Sequence, residues 1–209
     1  MSRWISRKPD YHADITSAIP HFVTRSCTLL ATGYAKLLQD SGHTIPTKNG
    51  LDISSFAPIM TDLALAAITL DSACVFRIAG EGMRQRFAHK LVGTDYYNLV
   101  DPARRGSAIE AMDMIVRTPC AFRVELLQQY ENGEERRAEA CVFPLRSEEP
   151  NIDGFALFAN SEIDPPRGPA AMHPILSEFQ VVRRDLIDIG FGLDEGFTDL
   201  VPRRHASLL

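Results

Sequence analysis

Two hairpin signals frame the middle of the chain, and together they dictate a sheet. The first joins DLALAAITL to ACVFRIAG through Asp71-Ser72, a pair suited to a tight turn. The second joins CAFRVELLQQY to ERRAEACVFPLRS through Glu131-Asn132-Gly133-Glu134, where Asn-Gly supplies the positive φ of a short hairpin. The later runs alternate. Phe122, Val124 and Leu126 fall on one side, with Arg123 and Glu125 on the other. Arg137 and Glu139 likewise oppose Ala138 and Ala140, while Pro144 predicts an edge position or a bulge. A further run, GFALFANSE, is almost wholly apolar.

Between the hairpins the period changes. After Gly80 a short helical stretch runs to a second glycine, Gly93, and the pair Tyr96-Tyr97. Asp101 then caps a longer helix, with Pro102 at its first position and Pro119 closing it. Ala108, Ile109, Met112, Ile115 and Val116 form its apolar stripe, which predicts a surface helix buried along one side. Two strands, helices and three more strands imply an α+β domain with a single five-stranded antiparallel sheet. The middle segment crosses one face of that sheet.

Upstream, TRSCTLLATGYAKLLQDSG places Cys27, Leu30, Tyr34, Leu37 and Leu38 at helical spacing. Thr24 is the predicted N-cap and Gly42 the stop. This helix either docks on the sheet or pairs with its copy in a second subunit. LDISSFAPIM predicts a short helix capped by Asp52 and ending near Pro58. Near the other end, PPRGPAAMHP reads as a linker, SEFQVVRRDLIDIGF as a short amphipathic helix and FTDLVPRRHASLL as a mobile tail. The expected divisions are a tail and flanking helix at 1–45, a central domain at 46–163, and a linker and tail at 164–209.

Composition narrows the function classes. Of 209 residues 45% are hydrophobic and 23% charged, the balance of a soluble globular protein. The net charge is -5 with no basic block, so no direct nucleic-acid partner is expected. No apolar run reaches membrane-spanning length, and no apolar stretch follows Arg3, Arg7 and Lys8. A cytoplasmic location is therefore expected. The four cysteines Cys27, Cys74, Cys120 and Cys141 lie far apart and read as buried thiols rather than metal ligands.

ACVFRIAGEGM, followed by Leu91-Val92-Gly93, resembles a stand-alone bacterial PAS family. Phe76-Arg77 and Gly80 match its strand and glycine, and Phe143-Pro144-Leu145 with Gly154 to Phe158 match its closing strands. The resemblance spans roughly residues 54–162, a range set by the span of those strands. It departs at Ala88-His89-Lys90, where the family commonly has a Gly-Arg or Gly-Lys pair. It implies a PAS fold, with the helices as a lid over a curved sheet and a cavity between them. Gly80 and Gly93 would permit the backbone turns at the lid's ends. A ligand would then be lined by Met83, Phe87 and Tyr96 from the lid and by Phe76, Phe122, Val124 and Leu126 from the strands. The same residues serve equally as a closed core.

The resemblance implies sensing or protein interaction rather than catalysis. No G-x-S-x-G, P-loop or H-E-x-x-H occurs, and Gly80-Glu81-Gly82 lacks the third glycine of a dinucleotide fingerprint. The expectation is a non-enzymatic signal-transduction protein that meets other signalling proteins and a small ligand. It would form a homodimer through the helix Thr24 to Ser41. No cofactor is identified. The alternative is a haem- or other cofactor-binding sensory module, for which His89 is the candidate ligand on the lid. Arg77 reads as an outward arginine paired with Glu125 or Glu139, or as an anion anchor. Arg104 and Arg105 read as solvated.

Overall fold

The computed structural model describes residues 22–87, 91–165 and 174–193. The tail before Phe22, the candidate ligand His89, much of the linker and the final tail lie outside the described residues. Six strands form one antiparallel sheet: β1 (Leu63–Thr69), β2 (Ala73–Ala79), β3 (Cys120–Tyr130), β4 (Glu135–Arg146), β5 (Gly154–Glu162) and β6 (Leu176–Asp188). Their order is β2-β1-β5-β4-β3-β6. Both predicted hairpins are present, Asp71 taking a positive φ of 58° and Gly133 of 83°.

The sixth strand corrects two expectations. The segment read as an amphipathic helix pairs with β3 along its length, and the sheet reaches well beyond residue 163. An open edge on β3 leaves unpaired backbone groups, and satisfying them outweighs a marginal helical pattern. The strand's alternation is also broken. Glu125 opposes Arg183 while Leu126 opposes Val181, so Val182 is an extra, bulged residue. Phe179 and Val181 before the bulge then share a side with Arg184 and Leu186 after it.

The sheet is covered on both faces, which explains its unusually apolar strands. Leu63, Leu65 and Ala67 of β1, with Phe155, Leu157 and Ala159 of β5, face helix α1 (Arg25–Asp40). Ala64, Ala66 and Ile68, with Ala156 and Phe158, face the helices between β2 and β3. Those are α2 (Glu81–Phe87), two short 3-10 turns, and α3 (Arg105–Arg117). Asp101 caps the second 3-10 turn, with Pro102 at its start, and α3 follows directly. Its buried face is wider than the predicted stripe and includes Ala111, Asp113 and Met114.

Helix α1 docks on its own sheet. Cys27, Leu30, Ala31, Tyr34 and Leu38 are buried there, each large side chain contributing roughly 2 kcal/mol of hydrophobic stabilisation. The predicted apolar stripe is therefore covered within the chain, and a dimer through this helix would have to use its outward side. Tyr34 stacks on Phe143 at 4.7 Å and donates a hydrogen bond of 2.8 Å to the Pro144 carbonyl. Pro144 lies in an interior strand, contrary to expectation, but β3 pairs with β4 only as far as Val142. The proline thus sits where no neighbour needs its missing N–H.

Thr24 caps α1 as predicted, accepting from the Cys27 N–H. Glu139, fully buried on β4, holds that cap. It accepts from the backbone N–H groups of Val23 and Thr24, from the Thr24 hydroxyl at 2.8 Å and from Arg123 Nε at 2.5 Å. Arg123 also reaches Glu125 at 3.0 Å and Asp185 at 3.3 Å. Burial alone would lower its pKa, but the bonds to Glu139 and Glu125 raise it above the ordinary value. The 3-10 helix Ile53–Asp62, capped by Asp52, continues past Pro58 to lead into β1.

Gly80 serves a different purpose from the one expected. A Cβ there would lie 2.0 Å from the Met60 carbonyl oxygen and 2.5 Å from that of Thr61, so close approach of two backbones demands the glycine. Gly93 does make the expected turn, with φ of 89°. Its N–H donates to the Phe76 carbonyl and so fastens the lid's return along the edge of β2. All four cysteines are buried and free.

Candidate functional site

A cavity lies between the lid helices and the sheet, and the alternation of the strands decides its lining. On β3, Phe122, Val124, Leu126 and Gln128 face it in sequence. Phe76 comes from β2, Phe158 and Asn160 from β5, and Ala140 and Val142 from β4. Phe179, Val181 and Arg184 of β6 supply the last wall. Met83 and Phe87 of α2, with Tyr96, Leu99 and Met112, close it from above. The structure thus brings all seven sequence-proposed residues to one cavity.

Aromatic contacts stiffen both ends. Phe76 meets Tyr96 edge-on at 6.4 Å, and Phe158 lies 5.9 Å from Phe76 and 6.2 Å from Tyr96. At the other end Phe87 of the lid meets Phe179 of β6 at 6.3 Å, again edge-on. Such pairs add roughly 1 kcal/mol each beyond their burial. Burial pushes the Tyr96 phenol up to about 12, against the opposing pull of Arg184. Tyr97 points elsewhere and is 2% exposed in the core.

The cavity volume is about 60 Å³. That is room for roughly four water molecules, against the 300 Å³ or more typical of drug-sized ligand sites. In this shape it accommodates neither a flavin nor a haem. Among the described residues no group of three His, Cys, Asp or Glu side chains is placed to hold a metal ion.

Three polar side chains interrupt the apolar lining. Arg184 lies with its guanidinium 5.5 Å from the centre of the Phe122 ring, a cation–π contact. Gln128 is 1% exposed; its Oε1 accepts from the Tyr130 hydroxyl at 3.0 Å, and its Nε2 has no hydrogen-bond partner. Asn160 accepts from Arg86 Nη2 through its backbone oxygen at 2.7 Å and its side-chain oxygen at 3.1 Å.

Arg86 extends this contact across the molecule. It is a buried residue of the lid helix α2, and its Nη1 lies 3.5 Å from Asp62. The other Asp62 oxygen accepts from the Ser26 hydroxyl, at 2.6 Å, in the first turn of α1. A chain of polar contacts therefore runs from the cavity wall through the lid to the flanking helix.

The polar lining escaped the sequence reading although part of it was visible. Gln128 continues the Phe122-Val124-Leu126 alternation by one step, and Asn160 does the same after Ala156 and Phe158. Phe179, Val181 and Arg184 were hidden by the helical reading of β6. Arg77 is exposed on the edge strand β2. Neither expected partner is near it in the sheet order: Glu125 and Glu139 lie on β3 and β4 and bond to Arg123. Arg105 is half-buried and donates to the Tyr97 carbonyl at 2.9 Å, so it is not simply solvated.

A larger open groove of about 670 Å³ lies beside α1, between that helix and residues 44–59. Lys36, Asp40, Asp52 and Arg146 mix both signs of charge along it. No helix among the described residues is long and apolar enough to cross a membrane.

No protein-family model and no curated protein matches the chain. Solved structures do. The PAS domain of a protein from Colwellia psychrerythraea is 16% identical over 53% of this chain and 97% of that one, with a TM-score of 0.37. A fungal LOV domain photoreceptor is 20% identical over 66% and 94%, with a TM-score of 0.38. VqmA of Vibrio cholerae, solved in complex with ligand and DNA, is 16% identical over 55% and 52%, with a TM-score of 0.39. With two strands entering its sheet before the helical crossing and three directly after it, the chain has the fold of a PAS domain, extended at one edge by β6.

Proposed function

We propose that this protein is a non-enzymatic PAS-domain sensor or adaptor of the bacterial cytoplasm, in which a small ligand or a partner protein alters contacts with other signalling proteins. The observation that carries this reading is the chain Asn160–Arg86–Asp62–Ser26. It ties the cavity wall and the lid to the start of α1, so a shift of the lid changes what holds that helix. Signal output would then be read from the outward side of α1, which also supplies the contact for a homodimer.

Hydrogen exchange tests the relay. Filling the cavity by Ala140→Phe should displace the lid and speed exchange in the first turns of α1. Adding Arg86→Met should make exchange there fast from the outset and insensitive to the filling. Unchanged protection of α1 in both variants would refute the relay. Light scattering on the full chain tests the homodimer, and a monomer at all concentrations would remove it from the proposal.

A further inference from the structure

We infer that the cavity takes a small, neutral molecule carrying a hydroxyl group, seated against the Gln128 carboxamide. The inference rests on the sensor reading of this cavity and specifies its ligand. Gln128 stands on the inward side of β3 and is 99% buried, since only 1% of it is exposed. One end of its amide meets Tyr130, the other has no partner, and the residue lines the cavity. Buried amide groups in folded proteins are nearly always met by protein, water or ligand.

The Tyr130 hydroxyl decides what the partner must be. It has one proton and two acceptors in reach, Gln128 Oε1 at 3.0 Å and Glu162 Oε1 at 2.6 Å. When the proton lies on the Gln128 side, the amide offers its N–H groups to the cavity. When the hydroxyl donates to the Glu162 carboxylate instead, its oxygen is left as an acceptor. The amide then turns to donate to it and presents its oxygen inward. A hydroxyl donates and accepts, so it satisfies both arrangements. A ketone meets only the first and an ammonium only the second.

Charge and size narrow the class further. Glu162 behind Tyr130 is already paired with Arg136 at 3.1 Å, so this end offers no free cation among the described residues, and a carboxylate seated at Gln128 would lose its hydration without a partner. A cation would be stripped of water among Leu126, Phe179 and Val181. Arg184 is no substitute anchor for this end. It pairs with Val124, four positions along β3 from Gln128, a strand distance of roughly 13 Å. The volume of about 60 Å³ admits a ligand of a few heavy atoms, and Met83 and Met112 can shift to fit it.

The test is a methyl-NMR titration of the full chain with butan-2-ol, butan-2-one and butyrate, with xenon as an apolar filler. Butan-2-ol should give saturable shifts at Val124, Leu126 and Val181, binding roughly fivefold more tightly than the ketone and more tightly still than butyrate. Gln128→Met should lower alcohol binding by a similar factor while xenon still enters. The wild-type ranking carries the test if that variant does not fold. Equal binding of the ketone or butyrate overturns the inference, as does alcohol binding indifferent to Gln128→Met. Xenon entry without alcohol binding overturns the ligand class alone. Exclusion of every probe overturns the cavity's sensory role as well.

Discussion

Replacing Glu139 with alanine should unfasten the start of α1 from the sheet. The carboxylate is fully buried and accepts from Arg123, the Thr24 hydroxyl and the backbone of Val23 and Thr24. Breaking a buried ion pair by removing one partner costs about 3–5 kcal/mol. Here the lower end applies, because Arg123 keeps Glu125 and Asp185. The Thr24 N–H, left without its acceptor, adds about 1 kcal/mol. The expected loss is thus about 4 kcal/mol, a large share of the roughly 5–15 kcal/mol that holds a domain together. Urea unfolding followed by circular dichroism measures it, and hydrogen exchange locates it. Protection should fall first at Cys27 and Thr28, ahead of β4 itself. The double change Glu139→Leu with Arg123→Met should cost less than Glu139→Ala alone, because no unpaired charge remains. A loss below about 1 kcal/mol for Glu139→Ala would refute the reasoning. So would a double variant as unstable as the sum of its parts.

Other outcomes follow from the same geometry. Phe158→Ala removes the ring that Phe76 and Tyr96 pack against and should lower stability by about 3–4 kcal/mol in urea unfolding. Gly80→Ala forces a Cβ against two carbonyl oxygens and should cost roughly 2–3 kcal/mol. Gly42→Ala, in open space at φ of 65°, should cost only about 1 kcal/mol, and thermal melts of both compare them. Burial pushes the Cys120 thiol up to about 12 from 9.0 and raises Cys74 and Cys141 as well. Native protein should therefore react with a thiol reagent at pH 8 only after unfolding. Because these folded-state values are raised, their contribution to stability is complete below the unfolded thiol pKa and is lost as pH climbs toward 12. The urea midpoint should fall across that interval.

What could be read from the sequence was whatever a strict period expresses. The two hairpins carried turn residues with an unambiguous backbone demand. The strict alternation of Phe122, Val124 and Leu126 led straight to the cavity wall, and helical spacing marked the docked face of α1. The missing parts have physical reasons. A bulged Val182 broke the two-residue rhythm of β6, and the remaining spacing of Phe179, Val182 and Leu186 imitates a helix. Gly80 looked like a turn because its real constraint, the backbone of Met60 and Thr61, lies far away in sequence. The polar chain through Arg86 could not be read at all, since Ser26, Asp62, Arg86 and Asn160 meet only after folding.

The extra residue in β6 also gives the strand one place where the chain can be shortened without turning a side chain over. Deleting Val182, itself an exposed side chain, would close the bulge and leave Phe179, Val181, Arg184 and Leu186 in strict two-residue alternation on the same side. Glu125 and Leu126 would keep Arg183 and Val181 as partners, and both halves of the wall would still face inward. A deletion that would turn a regular strand inside out leaves this wall facing the same way when it falls at the bulge.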